Sequence, residues 1–146
     1  MNRLRARITS RRGQSLVEFA LVVPLLLLML VGVIEFGRAW NESQVVTYAA
    51  RQGARMAAVL NTDPSASVDS VRNVVADALQ AGNIDPTAQG VNVDVNGWQD
   101  GSNTPVSVTV EVPYRFMIFG PVMALAGESF PNGTITLRST AIMRNE

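Results

Sequence analysis

From Leu16 to Ile34 the chain reads LVEFALVVPLLLLMLVGVI, nineteen residues whose only charge is Glu18. At a helical rise of about 1.5 Å per residue this run covers ~28 Å, close to the ~30 Å hydrocarbon thickness of a bilayer. One membrane-spanning helix is therefore expected, and whatever else the chain folds must hang from it. Five arginines (Arg3, Arg5, Arg7, Arg11 and Arg12) and no acid lie within the first thirteen residues, whereas the first charge after the run is Glu35. This asymmetry places Met1 in the cytoplasm and Glu146 outside. A cleaved secretory signal peptide fits less well. Its apolar core would be unusually long, Glu18 would interrupt its start, and Gly37 and Ala39 flank Arg38 in a poor cleavage site.

Composition narrows the chemistry. The 146 residues include no cysteine and no histidine, and every base is arginine. Disulfides, thiolate or imidazole metal sites, Ser-His-Asp triads, Schiff bases and a P-loop lysine are all excluded. Beyond Gly13 seven arginines face twelve acids, a side-chain balance of about minus five, so no basic surface is offered to nucleic acid. An enzyme using carboxylates alone would need two acids paired across a cleft, and the acids here are scattered. No catalytic residue, cofactor or metal ligand is expected. The oxygen-rich stretch DVNGWQDGSN, residues 94–103, looks superficially like a calcium loop, but Trp98 takes a ligand position and Pro105 stands where an EF-hand places its bidentate glutamate.

The junction between the basic leader and the apolar run, RRGQSLVEFALVVP, places Gly13 five residues before Glu18. It resembles the processing site of type IV prepilins and pseudopilins. The resemblance implies a cut by a prepilin peptidase between Gly13 and Gln14. Glu18 would then lie one helical turn from the new α-ammonium, able to pair with it or with that of a neighbouring subunit. A carboxylate at membrane depth is costly and usually has a partner; the alternative is that Glu18 only snorkels to the headgroups. More narrowly, RGQSLVEFALVVPLLLLMLVGVIEFGRAW, residues 12–40, resembles the N-terminal signature of the TadE-like family of Tad (tight adherence, Flp) pilus assembly minor pilins. The ending TLRSTAIMRNE, residues 136–146, resembles that family's close. The implied partners are the peptidase, the major Flp pilin and other minor pilins, the inner-membrane assembly platform with its ATPase, and membrane lipid. A leader of residues 1–13, a transmembrane helix over 14–38 and an extracytoplasmic domain over 39–146 follow. Major Flp pilins are essentially one helix, so the extra domain argues against the main filament subunit.

Pro24 lacks an N–H and is expected to bend the helix. Beyond Trp40 the helical period continues through Val45, Ala49, Gly53, Ala57 and Leu60. Ala49, Ala50, Gly53, Ala54 and Ala57 form a seam of small residues that admits close backbone approach, against this protein's own sheet or against another subunit. NTDPSAS, residues 61–67, breaks the helix. Val68, Val71, Val75 and Leu79 then mark a second helix that stops at Gly82. The period changes to two at Val91, Val93 and Val95 and again at Val106, Val108, Val110 and Val112, with Thr134 to Met143 as a third strand. The expected fold is α+β and pilin-like: a long N-terminal helix, a short helix and a three-stranded antiparallel sheet. FMIFGPVMALAG, residues 116–127, is too short to span and is interrupted by Gly120 and Pro121; it is expected beneath the sheet, the alternative being an exposed partner-binding or membrane-touching patch. A membrane-anchored binding domain with an uncut leader remains the alternative function.

Overall fold

The computed structural model describes residues 11–61, 63–99, 104–118 and 133–144. Helix α1, Arg11–Leu60, runs for 50 residues through Pro24, about 75 Å at the standard rise. Its two halves meet different surroundings. Through the apolar run the large side chains are exposed, among them Leu21, Met29 and Val33 at 69–74%. An 18-residue window there has a mean hydropathy of 2.7 and no buried residue. In water such a surface would be prohibitive, and in lipid it is satisfied. The half beyond it buries Val46, Ala49, Ala50, Ala54 and Ala57 completely or nearly so.

Those small residues let two layers approach α1. Helix α2, Val68–Ala81, begins where the Ser67 hydroxyl accepts from Asp69 N–H, and it buries Val71, Val75 and Leu79. The other layer is an antiparallel sheet in the order β1-β2-β3, with β1 Asn92–Asn96, β2 Val106–Arg115 and β3 Thr134–Met143. Central β2 turns Val106, Val108, Val110, Val112 and Tyr114 into the core. On the opposite face the register pairs Thr109 with Thr140 and Glu111 with Arg138. The hydroxyls of the first pair lie 2.9 Å apart, and the guanidinium of the second is 3.4 Å from its carboxylate.

The seam thus packs within the chain. A Cβ placed on Gly53 would come 2.5 Å from the Val75 methyl and 3.1 Å from that of Val108, so the residue is glycine because both layers close on it. Gly82 ends α2 as expected. Its φ is −86°, and the left-handed residue is Asn83 at 63°. A Cβ on Gly82 would collide with the Val45 methyls. At the far end Asn61 Oδ1 accepts from Gln99 N–H, tying the β1–β2 loop to the end of α1.

Gly53→Val should lower the stability of the packed domain by roughly 1–3 kcal/mol, the usual cost of overpacking. Adding Val75→Ala should recover part of it, since that methyl is the nearest obstacle. Denaturant unfolding of the detergent-solubilised chain measures both, and no recovery in the double variant would refute the three-layer packing at this position.

Candidate functional site

Two polar stations on α1 bracket its apolar run. At the lower one, Gly13 and Gln14 lie in the first turns of the helix and Glu18 lies one turn on. Gln14 Nε2 donates to Glu18 Oε1 at 3.2 Å, so the two residues share a helix face. The Gly13–Gln14 peptide bond lies within the first turn of the helix. Residues 1–10 of the leader lie outside the described residues. Pro24 is accommodated within the single helix α1.

The upper station was missed by sequence reasoning, which used Glu35 only as a marker of topology. Glu35 is 3% exposed, directly above the apolar run. Its carboxylate accepts the Met117 N–H, 3.1 Å from Oε2 and 3.3 Å from Oε1. The Arg38 guanidinium reaches it only at 4.0 Å and is 45% exposed, so the backbone bond and not the ion pair is the firmer tie. Strand β2 adds a second tie: the Tyr114 hydroxyl donates to the Glu35 carbonyl at 3.2 Å. Burial pushes the Tyr114 phenol pKa up, and the nearby Glu35 charge adds to this, keeping the phenol a donor. Burial also raises the pKa of Glu42, against the opposing pull of Arg38. The signal was present in the sequence: stepping back from Ala49 and Val46 by helical spacing reaches Glu42, Ala39 and Glu35, the core-facing stripe.

Beside this station an open apolar groove of about 430 Å³ is lined by Gly32, Phe36, Ala39 and Trp40 from α1 and by Phe116, Ile135 and Leu137 from the sheet side. Phe36 and Trp40 stack with centroids 6.2 Å apart, and Phe116 meets Tyr114 edge-on at 5.1 Å. The segment expected beneath the sheet departs from that expectation where it is described. Phe116 is half-buried, while Met117 and Ile118 are 65% and 48% exposed, although the Met117 N–H is bonded to Glu35. Residues 119–127 lie outside the described residues. So do residues 100–103 of the oxygen-rich loop, in which Asp94 accepts from the Asn96 amide. Among the described residues no three acids gather as a metal site would require.

A long helix that is exposed and apolar in one half and packed against an α+β domain in the other defines the class: an α+β chain with one N-terminal helix long and apolar enough to cross a membrane. Residues 13–55 match the family model of TadE-like proteins, so the chain carries the TadE-like segment from Gly13 through both stations to the small-residue seam. No curated protein and no solved structure gives a significant match.

Glu35→Ala should remove the acceptor of the Met117 amide, while Glu35→Gln retains an acceptor oxygen. Amide hydrogen exchange in detergent should show Met117 losing protection in the first variant and keeping most of it in the second. Equal protection in the two variants would show that the carboxylate does not hold this segment.

Proposed function

We propose that the chain is a prepilin-like minor subunit of a Tad-type pilus. A prepilin peptidase cuts it between Gly13 and Gln14 on the cytoplasmic face of the inner membrane. It then acts in pilus assembly or as a minor filament component. The observation that carries this reading is the pairing of Gln14 with Glu18 on one helix face, immediately after Gly13 and immediately before an uninterrupted apolar run. The TadE-like match beginning at Gly13 supports it. Cleavage turns the Gln14 amide nitrogen into an α-ammonium, so the face that now joins an amide to a carboxylate would join opposite charges. That carboxylate then serves its own chain in the membrane or a neighbour's amine in an assembly.

The reading gives the protein no catalysis of its own. The peptidase, the major Flp pilin, other minor pilins and the inner-membrane platform act on it or with it. The packed domain, the Arg38–Glu42 region and the sheet face project outside the cytoplasm. The competing reading, an anchored binding domain with an uncut leader, draws on the helical state of the Gly13–Gln14 bond.

Glu18→Ala should separate processing from assembly. Peptide hydrolysis at Gly13 has no evident need of a carboxylate one turn farther on, so cleavage should persist. Assembly would strand an α-ammonium in a low-dielectric setting, a loss of roughly 3–5 kcal/mol for a buried partner. Immunoblots of membrane and sheared-pilus fractions, from cells carrying the variant as the sole copy, should show cleaved protein retained in the membrane and few filaments. Normal piliation with normal cleavage would leave Glu18 as a snorkelling residue and remove the assembly role.

A further inference from the structure

We propose that the base of the packed domain is a lipid-contacting surface, in which the Phe116–Ile118 turn rests in the headgroup layer and acyl chains enter the groove between α1 and β3. The proposal rests on α1 crossing a bilayer, and not on processing or on pilus assembly.

Depth carries the argument. If Leu16–Ile34 fills the hydrocarbon, the next turns, Glu35 to Trp40, lie within about 10 Å above it, in the headgroup region. Helix α1 is unbroken across this boundary, so whatever packs against those turns shares their depth. Met117 is bonded there through Glu35, which fixes the Phe116–Ile118 turn at the headgroups. Its apolar side chains then face lipid and not water.

The groove is also continuous with the spanning surface. A second apolar recess of about 440 Å³, reaching down the helix to Leu25 and Leu28, shares Gly32 and Phe36 with it. The groove therefore opens onto the hydrocarbon that already covers the helix. An aromatic pair, Phe36 and Trp40, 68% and 60% exposed, stands at its mouth, where such rings favour the membrane interface. Charge agrees with this occupant. Exposed Arg115 is suited to lipid phosphates, Arg38 is spent on the Met117 Sδ at 2.6 Å and so also holds this segment at the helix, and the acid Glu35 is turned inward and bonded. A second copy of the chain is the competing occupant. It would have to displace lipid that continuity already brings to the groove.

The absence of native cysteine makes the test direct. The full chain would be reconstituted in phosphatidylethanolamine–phosphatidylglycerol vesicles containing a lipid with a shallow nitroxide quencher. Single variants Ile118→Cys, Met117→Cys and, at the far end of the domain, Ser65→Cys would carry an environment-sensitive fluorophore. A Trp98→Phe background leaves Trp40 as the sole tryptophan and reports insertion of the helix. The labels at 118 and 117 should emit at shorter wavelength than that at 65 and lose the greater part of their emission to the lipid quencher, with the label at 65 unaffected. Water-like emission at 117 and 118, with Trp40 quenched, would overturn the proposal while leaving the spanning helix in place. Trp40 unquenched would overturn both. A blue shift without lipid quenching, growing with the protein-to-lipid ratio, would assign the groove to a second copy and overturn the lipid surface.

Discussion

The structure depends on one constraint: a single unbroken helix must serve two solvents. Its lower half is an exposed apolar surface long enough to cross a membrane, and its upper half packs under a sheet and a second helix. Because no hinge separates the halves, the domain inherits its height and tilt from the membrane segment. The helical span read from sequence as residues 14–38 and the domain read as 39–146 meet inside α1, where contacts of the packed domain already reach Glu35. An insertion or a break between Ile34 and Trp40 would uncouple the two, whereas changes in surface loops would not.

At that boundary polar chemistry replaces apolar packing. A carboxylate that is nearly sealed from solvent is expensive unless its oxygens are used. Glu35 uses both oxygens on one backbone N–H, while its carbonyl takes the Tyr114 hydroxyl. These bonds anchor the membrane-proximal end of β2 to the helix, as Val75 and Val108 closing on Gly53 anchor its middle. The small-residue seam is thereby committed to the interior of this chain. Any contact with another subunit must use the lipid-facing half of α1 or the outer faces of the domain.

Much of this was legible in the sequence, because the periods were clean. Valines at every second position marked β1 and β2, the change from period 3.6 to 2 separated helices from strands, and Thr134–Met143 was read with its observed bounds. The role of Glu35 was not legible by the same route. An acid at the end of an apolar run satisfies the topology rule by itself, and that adequate explanation hid its place on the core stripe. The Gly82 stop was read at its observed position, whereas its close approach to Val45 is tertiary and leaves no local trace. The outward course of Met117 and Ile118 was missed because apolar composition alone favours burial, whereas the partner of the Met117 N–H lies 82 residues away.

The lower station carries the functional account. Gly13, Gln14 and Glu18 have a structural meaning in the intact chain, a first helical turn with an amide-to-carboxylate bond. They have a stronger one if the leader is removed, since the cut would create the charge that Glu18 is placed to meet. Intact-mass measurement of the protein purified from membranes of cells containing the peptidase tests this most directly. The account predicts a chain beginning at Gln14, lighter by the thirteen leader residues. A chain retaining Met1 would contradict it and favour the uncut anchor, and a start near Trp40 would contradict the membrane helix itself.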